Sequence, residues 1–430
     1  MKKYLVGGAV RDKILGIESS DLDYATPLTK QEIIDYCIVN KIQYYLVNER
    51  YNTVVIKEND GIWKEVTTFR RDKDTDGRQT SIEYTPYLRE DLARRDFTIN
   101  AIGFDEQSSL YTDPFDGRKD LHYGIIKTVG NPEERFTEDF LRIIRAIRFA
   151  IVFNFTIEEN TYNAMKKLAF QVPKFVSVER VVAELEKLFE KADNPSGFFD
   201  ILDDLSLLQV YFPLLYKIKH DMTNIIQNSM YHPELYVWDH IMNCLDHSPK
   251  EVLMRWTVLT HDLGKMFYQK FDDKPHHSFH EHETHVELVD EFFKDLKVST
   301  ELVEFCKFVM ANHMTINAGA RKKTLKRMIN SYGFDKVQQL VYFCHIDIFA
   351  TSGENKLFLT AVQERLNEIR DYKEPVKPIV DGLFIIEKTG LQQGREIGKI
   401  KELCYEYQLD SGETDKEKIW ENYGKPVQQL

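Results

Sequence analysis

The stretch LVGGAVRDKILGIESSDLDYAT, residues 5–26, decides the fold expected of this chain. Near its end are two acids, Asp21 and Asp23, within a run that has the composition of a β-strand. Side chains two apart on a strand lie on the same face, so the two carboxylates repel each other unless a cation lies between them. Mg²⁺ prefers such hard oxygen ligands. The pattern therefore predicts a divalent metal site on a strand.

Two glycines precede the acid pair, at the end of one predicted strand and the start of a helix. Gly7 and Gly8 there let backbone N–H groups approach a phosphate, and Arg11 on the first helical turn adds charge-assisted bonds to a triphosphate. Alone, D-x-D is also typical of an exposed strand edge or an Asx turn. The glycines and Arg11 favour a phosphate cradle beside a Mg²⁺ site, with Glu65 of WKEVTTFR as the candidate third acid.

Composition narrows the class of protein. At 430 residues, with 43% hydrophobic and 29% charged residues, the chain is expected to form several globular domains. No apolar run approaches the roughly 20 residues that a membrane helix needs, and Arg11 and Asp12 interrupt the apolar N-terminal run too early for a signal peptide. The net charge of −12 disfavours nucleic-acid binding over the whole surface but allows a local basic track. Five scattered cysteines are typical of reduced, buried thiols in a cytoplasmic protein.

The pattern along the chain changes from mixed to helical. Short β-like runs alternate with helical runs at first, and the sequence is helical almost throughout from Pro132. TEDFLRIIRAIRFAIVF, residues 137–153, predicts one helix with Thr137 as N-cap. The predicted domains are a head (1–125), a helical neck and body (126–225), a histidine-rich helical module (226–350) and a helical tail (351–430).

Several motifs then follow one another in a recognisable order. They are LVGGAVRDKILG (5–16), DLDYAT (21–26), EVTTFR (65–70), DGR (76–78), DLARRDFTINAIGFD (91–105), DPFDGRKDL (113–121) and EDFLRIIRAIRF (138–149). This series resembles the class II tRNA nucleotidyltransferases, the CCA-adding enzymes, whose head is shared with bacterial poly(A) polymerases. The resemblance implies an α+β fold: a polymerase-β-like nucleotidyltransferase head followed by an all-helical neck, body and tail.

The resemblance assigns the choice of the incoming base to Asp139 and Arg142. Three apart on a helix, they would share a face. A carboxylate only accepts hydrogen bonds and a guanidinium only donates them, which matches the amino group and ring nitrogen of cytosine and adenine and mismatches uracil and guanine. Arg145 and Arg148 continue the same face towards phosphate, sugar or base. The alternative for these arginines is a solvated face with salt links.

Further nucleotide contacts follow from the resemblance. Gly8 and Arg95 resemble nucleotide-binding residues, and Asp96 and Asn100 resemble ribose-side and structural partners. Arg95 packing in the fold or pairing with Asp91 is the alternative. Residues 70–84 are charged and glycine-containing, which predicts a mobile loop; in the family such a loop is tied to the switch from C to A addition.

A histidine-rich region suggests a second site. Its spacing follows the ligand order of the HD phosphohydrolases, His…His-Asp…Asp, with two further histidine donors. The residues are His240, His261, Asp262 and Asp347, with His282 and His313 in addition. Imidazole and carboxylate suit Mn, Fe, Ni, Zn or Mg. Some CCA-adding enzymes carry such a module with phosphatase or 2′,3′-cyclic phosphodiesterase activity, and the same fold also occurs as an inert scaffold.

The sequence thus predicts a cytoplasmic, Mg²⁺-dependent CCA tRNA nucleotidyltransferase. It would add C, C and A to the tRNA 3′ end from CTP and ATP and release pyrophosphate, with Asp21, Asp23 and Glu65 as catalytic acids. An A-adding enzyme or poly(A) polymerase of the same fold is the first alternative, an HD metal phosphohydrolase acting on RNA ends the second, and a non-catalytic RNA-binding scaffold the third. ARKKTLKR (320–327) is a candidate basic patch for RNA, or a solvated helix face.

Overall fold

The chain forms two compact units. The computed structural model describes residues 1–18, 22–48, 52–58, 60–75, 80–229, 232–270, 275–279, 281–351, 356–370 and 377–424. The first unit comprises Met1–Lys217, Lys250–Val252 and Lys294–Lys297. The second unit comprises Ile218–Pro249, Leu253–Phe293 and Val298–Leu430. The four domains expected from the sequence would subdivide these units and stay a prediction.

The described part of the first unit contains a mixed β-sheet and several shorter strand pairs. Its strands are β1 (Tyr4–Val6), β2 (Asp23–Thr26), β3 (Gln43–Asn48), β4 (Thr53–Lys57), β5 (Trp63–Thr68), β6 (Arg70–Thr75), β7 (Thr80–Tyr84), β8 (Gly103–Asp105), β9 (Leu110–Thr112), β10 (Ile125–Ile126) and β11 (Thr156–Ile157). Seven of them form one sheet in the order β3-β4-β5-β2-β1-β8-β9. Within it β2 and β5 run parallel and the other neighbouring pairs are antiparallel.

Helices cover the rest of this part of the chain. They are α1 (Gly8–Leu15), α2 (Lys30–Val39), α3 (Leu88–Ala93), α4 (Gly117–Tyr123), α5 (Pro132–Glu138), α6 (Leu141–Phe153), α7 (Glu159–Leu168), α8 (Val172–Phe175), α9 (Val178–Lys191), α10 (Gly197–Asp204), α11 (Leu208–Tyr211) and α12 (Pro213–Asp221). The change from a mixed sheet to helices confirms the expected α+β class, with a helical remainder after the sheet.

One local prediction is wrong, and another stays untested. Residues 137–153 do not form one helix, because α5 ends at Glu138, Asp139 is extended (φ −155°, ψ 106°) and α6 begins at Leu141. Thr137 is therefore not an N-cap; it lies inside α5, where its hydroxyl donates to the carbonyl of Glu133. Residues 70–84 contain β6 and β7, which pair antiparallel, and 76–79, including the DGR motif, lie outside the described residues. The mobility expected of this segment stays a prediction.

The second unit is helical with one short hairpin. Its elements are α13 (Val237–His247), α14 (Val252–Thr260), β12 (Gln269–Lys270), β13 (His277–Ser278), α15 (Glu287–Phe293), α16 (Thr300–Asn317), α17 (Lys322–Tyr332), α18 (Phe334–Thr351), α19 (Lys356–Glu368), α20 (Gly382–Thr389), α21 (Arg395–Ser411) and α22 (Lys416–Ile419). A separate apolar cluster holds α20, α21 and α22 together around Ile385, Ile400 and Trp420.

The candidate basic patch at 320–327 is largely neutralised. Lys323 and Arg327 on α17 both pair with Glu406 of α21, and Nζ of Lys326 donates to the carbonyl of Leu409 at 2.8 Å. This charge run therefore holds two helices together. All five cysteines are buried and free. Among the described residues, no helix has the length and apolar character needed to cross a membrane.

Candidate functional site

The glycine turn brings three predicted site residues together. Gly7 follows β1 with φ +70°, a conformation that favours glycine, and Gly8 begins α1. A Cβ at Gly7 would lie 2.8 Å from Nη1 of Arg95 and 3.8 Å from Oδ2 of Asp23. The turn therefore has an arginine and a carboxylate directly beside it, and any side chain at Gly7 would displace the arginine.

The carboxylates lie at one end of the parallel strand pair. Asp23 begins β2, and it is in register with Glu65 on β5. Paired residues on adjacent strands point to the same face and lie about 5 Å apart, so the two acids are neighbours on the sheet. Asp21 lies outside the described residues. The register thus places the candidate third acid beside the described member of the D-x-D pair.

Arg95 offers a donor next to this turn. Its Nη2 donates to Oδ2 of Asp91 at 3.3 Å, as the alternative interpretation expected. Its Nε is buried and has no hydrogen-bond partner within the described part of the chain. Asp91 also accepts from Nε of Arg94, and the opposite charges hold the pKa of Asp91 below its usual range although burial alone would raise it. The anchored Arg95 thus keeps an unused donor for an anion.

Arg11 is engaged within the fold. Its guanidinium donates to Oδ1 of Asn100 and to Oδ1 of Asp12, both at 2.8 Å, and lies 4.7 Å from the ring centroid of Phe153. A Cβ at Gly8 would lie 3.3 Å from Nη2 of Arg11, so the arginine folds back over the start of its own helix. In this arrangement Arg11 braces the turn, and its contact with a triphosphate stays a prediction.

A chain of polar contacts continues from Asn100. Its side-chain amide donates to Oδ1 of Asp96 at 3.0 Å, and Arg145 donates to Oδ2 of the same carboxylate at 2.6 and 2.9 Å. Burial alone would raise the pKa of Asp96, but Arg145 and Asn100 hold it well below its usual range. Asp96 and Asn100 therefore connect the helix that follows the glycine turn to α6.

Arg148 closes this chain in the interior. Its Nε donates to Oε2 of Glu184 on α9 at 2.6 Å, and its guanidinium lies 4.0 Å from the ring centroid of Phe149. Glu184 also lies 3.6 Å from Nη1 of Arg145. Both arginines thus have acid partners within the chain, and their predicted contacts with a nucleotide are untested.

Asp139 and Arg142 lie close in sequence but not on one helix. Oδ2 of Asp139 accepts from Arg180 of α9 at 2.8 Å, and Oδ1 accepts from the backbone N–H of Leu141 at 3.1 Å. Arg142 on α6 donates to the carbonyls of Arg135 and Arg94. The shared helix face expected from their spacing is wrong, because the chain is extended at Asp139. Sequence reasoning also missed Arg180, which lies far along the chain.

In the second unit, six predicted residues cluster. We call them the histidine centre: His240, His261, Asp262, His282, His313 and Asp347. All six are buried. Nε2 of His240 lies 3.1 Å from Oδ1 of Asp347 and 3.4 Å from Oδ2 of Asp262. Burial alone would lower the pKa of His240, yet Cys244, Asp347 and Glu234 raise it well above its ordinary value.

Comparison with known proteins gives the family. Residues 3–127 match the family model "Poly A polymerase head domain", and residues 154–218 match "Probable RNA and SrmB-binding site of polymerase A". The CCA-adding enzyme of Staphylococcus aureus strain MRSA252 is 34% identical over 295 residues, which is 63% of this chain and 70% of the relative. The chain belongs to the CCA-adding enzyme family.

Other members of the CCA-adding enzyme family agree. The enzyme of Ligilactobacillus salivarius strain UCC118 is 38% identical over 228 residues, and the matched region spans 53% of this chain and 54% of that one. The solved structure of the Bacillus stearothermophilus CCA-adding enzyme in complex with CTP matches with a TM-score of 0.66 at 25% identity. The matched region spans 96% of this chain and 90% of that enzyme's chain. The likeness therefore extends over both units.

Around the histidine centre lie residues that the spacing rules did not point to. Oε1 of Glu234 accepts from Nδ1 of His240 at 2.8 Å, and Sγ of Cys244 lies 3.6 Å from Nε2 of the same ring. Nζ of Lys265 lies 2.8 Å from Oδ2 of Asp262 and donates to Gln227 at 2.8 Å. Lys265 follows Asp262 by three residues in HDLGK, a signal that was available in the sequence; Glu234 carried none.

Divalent ions suit both places. In the first unit Asp23 and Glu65 are neighbouring carboxylates beside a glycine turn, a donor set that fits Mg²⁺ with substrate phosphates as further ligands. In the second unit buried imidazoles and carboxylates converge, and Nε2 of His282 is buried without a hydrogen-bond partner among the described residues. Such a donor set fits Mn, Fe, Ni or Zn. Groups of residues able to hold a metal ion are thus present.

Proposed function

We propose that this protein is a CCA-adding enzyme that completes the 3′ end of tRNA from CTP and ATP without a nucleic-acid template. The tRNA 3′ oxygen forms a bond to the α-phosphorus of the nucleotide, the bond to the β-phosphate breaks, and pyrophosphate leaves. The observation that carries the proposal is the convergence of Arg95 and Asp23 on the turn at Gly7, in a chain of this family. We infer that the reaction takes place in the cytoplasm.

In this proposal, separate groups of residues bind the triphosphate and the metal ion. Backbone N–H groups at Gly7 and Gly8 face the triphosphate, and the unused Nε of Arg95 donates to a phosphate oxygen. Asp21, Asp23 and Glu65 would hold Mg²⁺, which when bound neutralises charge on the phosphates.

Base choice is proposed to depend on Asp139 and Arg142. An acceptor and a donor side by side match cytosine and adenine, whereas uracil and guanine would leave both groups unpaired. Arg180 holds the carboxylate of Asp139, and the backbone carbonyls of Arg94 and Arg135 hold the guanidinium of Arg142. These contacts support the proposal because they fix the orientation of both groups before a nucleotide binds.

The direct test uses the full chain with a tRNA that lacks its last three nucleotides. We expect CTP alone to add two residues, CTP with ATP to add three, and UTP or GTP to add none. Asp23→Asn should lower incorporation by about 10²-fold or more. Asp105→Asn, an acid at the end of β8 in the same sheet, is the matched control. Tails built from ATP alone would instead identify an A-adding enzyme or poly(A) polymerase.

We further propose that the histidine centre binds divalent transition metal and hydrolyses phosphate esters at RNA ends. The convergence of its buried donors supports this second activity, and so does an adjoining cavity of about 550 Å³ lined by Asp262, His313 and Lys265. His261→Ala should abolish hydrolysis of a 2′,3′-cyclic nucleotide and leave CTP incorporation intact. Hydrolysis that survives His261→Ala would contradict this activity.

A further inference from the structure

A groove on the surface of the first unit lies between α1 and α4. Its volume is about 610 Å³, and its apolar lining comes from Ile14 and Leu15 at the end of α1 and from Leu121 on α4. Four exposed basic side chains lie on these two helices: Lys13, Arg118, Lys119 and His122. We call this cavity and its four basic side chains the α1–α4 groove.

Aromatic rings position two of these basic groups. Phe104 on β8 and Tyr111 on β9 pack against each other with ring centroids 4.6 Å apart. Nζ of Lys13 lies 5.0 Å from the centroid of the Phe104 ring, and the guanidinium of Arg118 lies 4.6 Å from that of Tyr111. A cation over the face of an aromatic ring is attracted to it. Both cations are therefore held in place by the fold while they remain exposed.

The positive charge of the α1–α4 groove is not neutralised. None of its four basic side chains has a salt-bridge partner among the described residues. The acids of the same segments are used elsewhere, since Asp12 pairs with Arg11 and Asp113 accepts from the first two backbone N–H groups of α4. Asp120 is buried and accepts from a threonine hydroxyl at 2.6 Å. Asp116 is exposed ahead of α4, but the exposed charges on α4 itself are all positive.

Unpaired cations of this kind are what an RNA backbone needs. Each phosphate that a lysine or arginine neutralises releases a condensed counterion, and this release supplies most of the affinity that does not depend on sequence. The basic run at 320–327 has acid and carbonyl partners on α21 and offers less of this charge. In a chain with a net charge of −12, the α1–α4 groove is therefore a local surface suited to RNA.

The position of the groove favours the same partner. Helix α1 is eight residues long and runs from the glycine turn to the groove. A rise of about 1.5 Å per residue places the groove about 10 Å from the turn. An RNA that presents its 3′ oxygen to a nucleotide at the turn therefore has backbone phosphates close to the groove.

We propose that the α1–α4 groove binds backbone phosphates of the tRNA acceptor end, next to the 3′ terminus that receives the new nucleotides. This inference rests on the proposed function. Arg118 and Lys119 donate charge-assisted hydrogen bonds to phosphate oxygens, and the exposed Tyr123 offers its hydroxyl beside them. Contacts to phosphates carry no base sequence, so the groove positions any tRNA and takes no part in choosing the nucleotide.

The test measures the affinity of the full chain for a fluorescently labelled tRNA that lacks its last three nucleotides. Anisotropy is recorded without nucleotide over a range of salt concentrations. For the double variant Arg118→Gln, Lys119→Gln we expect Kd to rise about 10-fold and the slope of log Kd against log salt to fall by about two. Lys30→Gln, Lys41→Gln is the matched control, because both lysines flank α2, which packs against β3 and β4 towards the other edge of the sheet. It should bind as wild type.

Two further measurements locate the contact. In steady-state addition the double variant should raise KM for tRNA and leave kcat and KM for CTP unchanged. A stem–loop that carries only the acceptor stem should lose as much affinity as the full tRNA. Unchanged tRNA affinity and salt slope would overturn the inference, and so would a loss confined to the full tRNA. Failure of the wild-type chain to add CTP would contradict the proposed function, while binding without nucleotide still tests the groove.

Discussion

At the scale of single residues, Asp96 carries a negative charge in the interior of the first unit. Both of its oxygens are used, because Oδ1 accepts from Asn100 and Oδ2 accepts from Arg145. Burial alone would raise the pKa of Asp96, but these donors hold it well below its usual range. A carboxyl whose folded pKa is lowered contributes stability above its unfolded pKa of about 3.9, and that contribution is lost as the pH falls through the folded value.

Asp96→Asn should therefore destabilise the first unit at neutral pH. We expect a loss of about 1–3 kcal/mol in the free energy of unfolding at pH 7, because Arg145 is left without its main partner. The difference from wild type should shrink as the pH drops below about 4. Urea unfolding across this pH range measures it. Asp204→Asn, an exposed acid paired with Lys166, should cost less than about 0.5 kcal/mol. A penalty for Asp96→Asn that does not change with pH would contradict the account.

Glu234 is a positioning residue of the histidine centre. Its Oε1 accepts from Nδ1 of both His240 and His232, at 2.8 and 3.0 Å, which orients the His240 ring. Loss of such an orienting carboxylate typically lowers metal affinity about 10–100-fold. We expect Glu234→Gln to raise the Mn²⁺ dissociation constant by about 10-fold, measured by titration calorimetry. Glu287→Gln, whose carboxylate accepts from His285 outside the centre, should bind as wild type. Unchanged affinity in Glu234→Gln would rule out the positioning role.

At the scale of elements, the break between α5 and α6 determines how Asp139 is presented. The carboxylate satisfies the N–H of Leu141 at the start of α6, while Arg180 on α9 holds its other oxygen. A continuous helix would have placed Asp139 on the same face as Arg142. Instead, a contact from α9 fixes the acceptor that is proposed to meet the base.

Arg180→Ala should therefore reduce the selectivity of the enzyme for the incoming base. The carboxylate of Asp139 would keep one anchor and turn more freely, so we expect the ratio of kcat/KM for CTP to that for UTP to fall by about 10-fold. Single-nucleotide incorporation on the truncated tRNA measures this ratio. Lys187→Ala, on the same helix and salt-bridged to Glu184, is the matched control and should keep the wild-type ratio. An unchanged ratio in Arg180→Ala would show that this anchor does not govern selection.

At the scale of the whole molecule, the features that could be predicted from the sequence are those encoded by residues close together along the chain. The family, the α+β fold and the sheet of the head follow from motifs within the first 150 residues, and the comparisons confirm them. The glycine turn could be placed because Gly7 and Gly8 need backbone freedom at the end of a strand. Spacing along the chain also brought out all six members of the histidine centre, which the structure gathers in one buried place.

Features that depend on distant partners could not be predicted. The arginine periodicity of α6 is the same whether its side chains meet a nucleotide or acids such as Asp96 and Glu184, and only the fold shows that they meet acids. The helix break at Asp139 has no proline or glycine to mark it. Likewise, nothing near the basic run of α17 indicates its acidic partner, because Glu406 lies about 80 residues further along the chain.

Metal removal should lower the thermal stability of the second unit and not that of the first. The histidine centre buries the carboxylates of Asp262 and Asp347 together with several imidazole lone pairs, so a bound ion stabilises the folded second unit. An ion present at 100 times its dissociation constant adds about 2.7 kcal/mol. In an Asp23→Asn background, in which the head site is disabled, we expect a chelator to lower the melting temperature of one calorimetric transition and leave the other in place. Adding Asp96→Asn should shift only the other transition. His261→Ala should reduce the effect of the chelator on the transition of the second unit, whereas His247→Ala, at an exposed histidine at the end of α13, should not. Should the chelator leave both transitions unmoved, no ion contributes to the stability of the second unit.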